Sequence, residues 1–366
     1  MVYWERLSRE RGAIQVLATS CLKTFSKFSF EADREKLVGL RDLRNVVRVA
    51  MLLAGATWAT VSTCRGDDTW PVRNVKIIVP FAAGSANDAS ARFYADGLTR
   101  RWGKPVIVEN RPGADAVVGG GAFANARDDH TLLYGTASMV TVSPLLQDSL
   151  PYDPSRDMVP IASTASSILV IAVHDRLPVR SLRELAELAR AKPGELSWSS
   201  GPSLPHFVFA AMLARHGLKQ IYIPYRDASA QQADFGEGRV QILSHALLSV
   251  RAPVLAGKAR ILAVTSPERQ PSLPDVPTVA ESGFPEMEIE GLAGVFGWRD
   301  MPPALRDRIS ADVKAVAADP LVRSRIEASG AQVLGGTPTE FSAAIERQRT
   351  RIEQISRIVD LKNVAR

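Results

Sequence analysis

From Asp67 onward the chain alternates short β-branched apolar runs with longer stretches whose apolar residues recur at helical spacing. The runs "VKIIVP" (75–80), "PVIVEN" (105–110), "TLLYGT" (131–136), "ILVIAV" (168–173), "LSWSS" (196–200), "IYIPY" (221–225), "RVQIL" (239–243) and "RILAVT" (260–265) predict strands. Helices are predicted over Ala89–Trp102, Ser181–Ala191, Pro205–His216, Leu247–Ala256, Pro303–Ala318 and Pro338–Val359. Most of the strand runs are apolar on both faces, so each face needs cover, and the intervening helices supply it. The pattern therefore predicts a doubly wound α/β class. Two domains suit the length: residues 67–172 with 288–366 form the first and 173–287 the second. "MVPIASTASSILVIAV" (158–173) and "EIEGLAGVFGWR" (288–299) are the expected crossing segments, the second returning the C-terminal helices to the first domain. Ligands of such sheets sit beyond the C-terminal strand ends, and two such edges facing one another would enclose a cleft.

Composition adds little to this until charge is located along the chain. With 366 residues, 46% hydrophobic and 23% charged, the sequence is ordinary globular material. Its net charge of +6 is concentrated in residues 1–66, which hold 11 Lys/Arg against 6 Asp/Glu, leaving 34 against 33 in the remainder. The body thus has no basic block to track phosphates, and nucleic acid is excluded as the expected partner. Arg41, Arg44 and Arg48 precede the apolar stretch "VAMLLAGATWATVSTC" (49–64), too short for a comfortable membrane span and suited to the core of a secretory signal. The expectation is an export signal over about 41–66, cleaved near Ser62–Asp67, against the competing reading of a buried helix. Cys21 and Cys64 are the two cysteines and both fall in the leader, so the exported body has no disulfide, thiol nucleophile or cysteine-held metal. "VSTC" weakly matches a lipoprotein cleavage motif, with Thr63 unusual before the cysteine, which makes lipid anchoring at Cys64 the secondary expectation.

The stretch "IIVPFAAGSANDASAR" (77–92) carries the first candidate chemistry. A strand ending at Pro80–Phe81, a turn of small residues and a helix starting near Asn87 leave amide N–H groups unpaired at the helix N-terminus. Aligned peptide dipoles favour an anion there without any Lys or Arg. The same residues also fit a plain helix cap, Ser85 or Asn87 capping and Asp88 complementing the dipole. No G-x-S-x-G elbow, P-loop or H-E-x-x-H is present, and His130, His174, His206, His216 and His245 show no metal-ligand spacing. "RDD" (127–129) reads as a turn, and "GGG" (119–121) lacks the surroundings of a dinucleotide fingerprint. The expectations are accordingly no enzyme, no cofactor and no metal.

Taken in order, "WPVRNVKIIVPFAAGSANDASAR", "KPVIVENRPGADAVVGG", "TLLYGT", "LPYDP", "AKPGELSWSSG", "IPYRDASA", "AGKARILAVTSPERQPSLPDVPTVAESGFP" and "GGTPTEF" resemble the Bug family of periplasmic solute-binding proteins, the receptors of tripartite tricarboxylate transporters. The resemblance runs from about Trp70 to Asn363, with "VENRPGA" and "SLPDVPTVAE" its most specific blocks. It implies a flytrap of two domains that closes on a small carboxylate-bearing solute in the periplasm, as a monomer serving membrane transport subunits, without catalysis or cofactor. The implied ligand loop is Phe81, Ala83, Gly84, Ser85, Asn87 and Asp88. Opposite it, Ser199, Ser200, Gly201 and Ser203 would supply donors, with Gly135, Thr136 and Ser138 along the first domain's cleft and Tyr225 facing it. Ser and Thr at strand ends also serve as ordinary caps and turns, so both readings stand for these positions.

Three departures from the family pattern bear on the solute. Ser85 stands where a second glycine is usual, Asp115 and Ala116 stand in a glycine-rich place, and His245, Leu292 and Ala293 replace acidic or aromatic residues. A carboxylate at Asp115 would oppose an anion unless it points to solvent. His245 is expected either to add a hydrogen bond or pH sensitivity to the site, or to be an ordinary strand-end histidine. The expected function is an extracytoplasmic carboxylate receptor for transport. The alternative is a sensory or interaction protein that presents the solute to a membrane sensor, and a hydrolase or isomerase finds no nucleophile and base.

Overall fold

The computed structural model describes residues 70–201, 203–225 and 227–364; the expected export signal, Cys21 and Cys64 lie outside the described residues. The chain lays down β1 (Val75–Val79), α1 (Ala86–Trp102), β2 (Val106–Asn110), α2 (Val117–Ala126), β3 (Thr131–Thr136), the single turns α3 (Ser138–Thr141) and α4 (Ser143–Leu146), and the long β4 (Val159–Ser167). A second set follows: β5 (Leu169–His174), α5 (Leu182–Ala191), β6 (Ser197–Ser200), α6 (Leu204–Arg215), β7 (Ile221–Tyr222), α7 (Ala228–Gly236), β8 (Ile242–Ala246), α8 (Leu247–Leu255) and β9 (Ala259–Val264). The last set is β10 (Gly291–Gly297), α9 (Pro303–Ala317), α10 (Pro320–Ala328), β11 (Ala331–Gly336), α11 (Pro338–Ser356) and α12 (Leu361–Val364).

These strands form two sheets, ordered β11-β4-β10-β3-β1-β2 and β7-β6-β8-β5-β9. Alternation within each strand shows why helices cover both faces. In β1, Val75, Ile77 and Val79 join the core under α1 and α9 with Tyr94, Leu98 and Val313, whereas Ile78 points to the other core with Phe123, Phe296 and Phe341. The second sheet repeats the device: Ile171 and Val173 pack with Trp198 and Phe209, while Val170 and Ala172 pack with Phe235 and Val250. The α/β class is as expected, but the sheets are mixed. β1, β2 and β3 run parallel, and β10, β4 and β11 join antiparallel. In the second sheet β6, β7 and β8 are parallel and β5 is antiparallel to β8 and β9.

The segments expected to cross between domains are themselves strands, β4 and β10, hydrogen-bonded side by side within the first sheet. β8 lies further along than "RVQIL" suggests, because Gly238 takes φ +76 and the Arg239 and Val240 amides bond back to the Asp234 carbonyl, keeping those residues in a turn. β7 shrinks to two exposed residues at a sheet edge, ahead of Pro224.

Chain crossings from one sheet to the other are tied together. The Ile289 amide donates to the Thr265 carbonyl at 2.8 Å, the Thr265 hydroxyl donates back to the Ile289 carbonyl at 2.8 Å, and the Thr265 amide donates to Leu169 at 3.0 Å. α11 starts with a capping box between Thr337 and Glu340 and buries Phe341 and Ile345 on the first sheet. Its far end does not stay there: Ile352 and Ile355 pack with Phe207 and Val208 of α6, which belongs to the second sheet. The C-terminal helix therefore spans the seam.

Candidate functional site

β1 and β3 are parallel neighbours, so the loops that follow them emerge at one edge of the first sheet. After Pro80 the chain turns through exposed Ala82, Ala83 and Gly84, the last at φ +83, a conformation glycine adopts without strain. Ser85 is the N-cap of α1, its hydroxyl accepting the Asp88 amide at 3.2 Å. Asp88 is 2% exposed and folds the loop back on the helix. Its carboxylate accepts the Gly84 amide at 2.8 Å, Asn110 Nδ2 at 2.8 Å and Arg92 Nε at 3.1 Å. Burial works against its ionisation, yet the bonds from Arg92, Gly84 and Asn110 outweigh that and hold its carboxyl below the usual range. Asn110 Nδ2 also donates to the Phe81 carbonyl at 3.1 Å.

Asp88 is thus an internal brace rather than an outward-facing group, and the Gly84 amide is already taken. What the turn offers is the Ala86 and Asn87 amides and the Asn87 side chain, which have no partner among the described residues. Asp88 in the first turn already complements the α1 dipole and Arg92 balances its charge, so an anion here would be held chiefly by these unpartnered donors. Beside this loop, Thr136 ends β3 and Ser138 opens α3, both half-buried. Gly135 is fully packed: a Cβ there would lie 2.8 Å from Met139 Sδ, so its smallness serves the core. Asp115 is exposed and follows Ala114 and precedes Ala116, all three at positive φ.

On the second sheet, β6, β7 and β8 are parallel and deliver Ser199–Gly201, Ser203, Tyr225 and His245 to one edge. Ser199 is fully occupied, its hydroxyl donating to the Ile223 carbonyl at 2.8 Å and accepting Gln231 Nε2 at 2.7 Å. Gln231 Nε2 also reaches the Ser200 carbonyl at 2.7 Å. The Ser200 hydroxyl, by contrast, is buried with no hydrogen-bond partner among the described residues. Ser203, at φ 63, precedes α6 and makes no side-chain cap bond.

Gly201 and His245 touch: a Cβ on Gly201 would sit 2.9 Å from the imidazole Nε2, so glycine is what admits the ring. His245 Nδ1 accepts the Ala246 amide at 2.8 Å, which assigns the proton to Nε2. Burial pushes the imidazole down to about 4, so the ring is a neutral donor through the whole neutral range. That removes the expected pH sensitivity of the site. The Tyr225 hydroxyl donates to Asp234 at 2.5 Å, and Asp234 pairs with Arg239 at 2.7 Å. Burial and that partner push the phenol up to about 12, and Tyr225 braces the turn.

Sequence reasoning missed Arg92, Asn110 and Gln231, the side chains that fix both loops. Arg92 and Asn110 lie inside stretches already marked, "ANDASAR" and "VENRPGA", and Gln231 directly follows "IPYRDASA"; nothing local reveals their distant partners. Asp128, Asp129 and His130 bring their ligand atoms within 4.8 Å of one another, and each already has protein partners. Arg73 pairs with both carboxylates, His130 Nδ1 bonds Asp129 at 2.7 Å, and His130 Nε2 accepts the Val72 amide at 3.1 Å.

Comparison with known proteins places this geometry. The family model described as "Tripartite tricarboxylate transporter family receptor" matches residues 90–361. The UPF0065 protein in the tcbD-tcbE intergenic region of Pseudomonas sp. (strain P51) is 33% identical over 323 residues, covering 86% of this chain and 95% of the relative. Protein BugT of Bordetella pertussis is 30% identical over 277 residues, covering 75% and 85%. Among solved structures, R. palustris Rpa4515 with adipate is 28% identical with a TM-score of 0.67, covering 79% of this chain and 98% of that one. The periplasmic binding protein BugD is 26% identical with a TM-score of 0.63, over 79% and 98%. The matched family and the structural neighbour BugD are solute-binding receptors, not enzymes.

Proposed function

The chain belongs to the tripartite tricarboxylate transporter receptor family, and on that premise we propose that it captures a small carboxylate-bearing solute outside the cytoplasm and passes it to membrane transport subunits. The observation that carries the reading is a set of uncharged donors at the C-terminal edges of both sheets. The Ala86 and Asn87 amides stand on one edge; the Ser200 hydroxyl and His245 Nε2–H stand on the other. Donors of this kind bind a carboxylate through dipoles and hydrogen bonds, directly or through ordered water. Adipate in the R. palustris relative gives the solute class its starting point.

In this reading the two lobes are residues 67–172 with 288–366, and 173–287, and they close on the solute from either side. Export by the leader puts the body in the periplasm, where it works as a monomer. Ser85, Ser199, Gly135, Tyr225 and Asp88 shape the site, while Phe81, Ala83, Gly84, Asn87, Thr136, Ser138, Ser200, Gly201, Ser203 and His245 border the solute.

A thermal-shift screen of the purified protein tests this with adipate, other di- and tricarboxylates, and the matching amides. A carboxylate at a hundred times its dissociation constant is expected to add about 2.7 kcal/mol of apparent stability, with no shift from its amide. A folded protein that responds to none of the carboxylates, or equally to the amides, would overturn the proposal.

A further inference from the structure

We infer that a second small-molecule site lies at the seam between the two sheets, built for an amphipathic carboxylate that also carries an N–H or O–H donor. A cavity of about 550 Å³ opens there, walled by α8, β9 and the loop at 270–273 on one side and by the turn from α10 into β11 on the other. That volume lies in the range of small-ligand pockets, about 300–1,000 Å³. Leu247, Val254, Ile261 and Leu273 give it an apolar wall. It shares no residue with the loops 81–88, 136–138 or 199–203.

Two polar groups point to the ligand chemistry. Gln270 lines the cavity, is 5% exposed, and its Oε1 has no hydrogen-bond partner among the described residues. The amide cannot simply be turned round. Ser266 Oγ gives its one proton to the Glu268 carbonyl at 2.7 Å, so it must accept from Gln270 Nε2 at 2.9 Å, and Oε1 is the atom left over. A buried acceptor without a donor is destabilising, and a ligand that brings an N–H or O–H relieves it. The loop holds Gln270 firmly: the Leu273 amide donates to its carbonyl at 2.8 Å, while Arg269 binds Glu281 at 2.9 Å and the Pro274 carbonyl at 3.1 Å.

The second group is Arg251, which lines the same cavity from α8, is exposed, and has no partner among the described residues. Its planar fork suits a carboxylate. Glu327, the acidic residue of the wall, is paired with Arg323 at 3.5 Å. An apolar body, a donor at one end and a carboxylate at the other therefore describe the occupant.

The test is calorimetric titration of the full chain with N-acetyl-L-leucine, which combines an isobutyl group, an amide N–H and a carboxylate. Saturable binding that persists in excess adipate is expected. Gln270→Leu and Arg251→Ala are each expected to weaken it about tenfold, as is replacing the probe by N-acetyl-L-leucinamide with wild-type protein. Arg251 is exposed, so its variant keeps the test decisive if Gln270→Leu folds poorly. Ser200→Ala is expected to leave this binding unchanged. Absence of saturable binding, displacement by adipate, or indifference to both substitutions would overturn the inference, the last two assigning the probe to another site and the first leaving Gln270 to a structural water.

Discussion

Ser200 and Ser199 are neighbours in sequence with opposite fates. Ser199 is held from two sides, whereas Ser200 keeps a buried hydroxyl without a partner. Ser200→Ala is therefore expected to cost no stability in urea denaturation and to weaken carboxylate binding about tenfold by calorimetry. Asp88→Asn should do the reverse of a ligand-contact change. It leaves Arg92 without its charged partner and loosens the loop, a loss of about 1–3 kcal/mol in urea. Because the Asp88 carboxyl sits below its ordinary 3.8, its contribution is fully present above that pH and is lost as pH falls through the folded value. The variant should lack that acid-side loss.

His245 and His206 add to that acid-side loss, beginning at a higher pH. Burial lowers both from 6.5 to about 4, so the unfolded chain takes up these protons first and stability falls as pH drops across that window. Urea melts at pH 7 and pH 5 should show a smaller difference in His245→Gln than in wild type. Carboxylate affinity itself should stay flat from pH 8 to 6, a range well above the lowered imidazole. That these loops sit at the strand ends was legible from the ordered motifs, but which hydroxyls in them are available was not. That depends on partners such as Gln231 for Ser199 and Asp234 for Tyr225, which only the folded chain brings into reach.

Among the elements, the turn into α2 carries three consecutive non-glycine residues at positive φ. Ala114, Asp115 and Ala116 take φ of 45°, 50° and 75°, a region where a Cβ costs about 1–2 kcal/mol per residue. Ala114→Gly or Asp115→Gly is expected to stabilise the protein by about 0.5–1 kcal/mol in urea after the added freedom of the unfolded chain is discounted. A loss of stability would show that side-chain contacts outweigh the backbone strain. The helix behind this turn packs closely: a Cβ on Gly119 would fall 2.5 Å from Pro80, the residue that ends β1. Gly119 thus lets α2 approach the start of the first loop, while Gly120 and Gly121 admit Tyr152 and Pro151. Apolar runs made β1, β3 and β5 legible. β4, β10 and β11 are rich in Gly, Ser and Ala, and β11 buries only Val333, so their sequences carry little strand character and sheet pairing decides them.

Across the whole molecule, the seam is where the two sheets are coupled. Thr265 and Ile289 clasp the crossing segments, and Gln348 of α11 accepts the Thr141 hydroxyl at 2.6 Å while donating to the Glu290 carbonyl at 2.7 Å. A helix anchored on both sheets was not legible from the chain order, because α11 reads as one amphipathic stretch whichever surface it covers. The α/β class and the pairing of loops with sheet edges were legible, since both follow from strand periodicity and the rule that ligands sit beyond parallel strand ends.

The most direct measurement is a crystal structure of the protein with the carboxylate that gives the largest thermal shift. The account predicts that carboxylate oxygens lie at about 3 Å, directly or through one water, from the Ala86 and Asn87 amides on one edge and from Ser200 Oγ and His245 Nε2 on the other. A carboxylate held on Lys or Arg side chains away from both edges would contradict it.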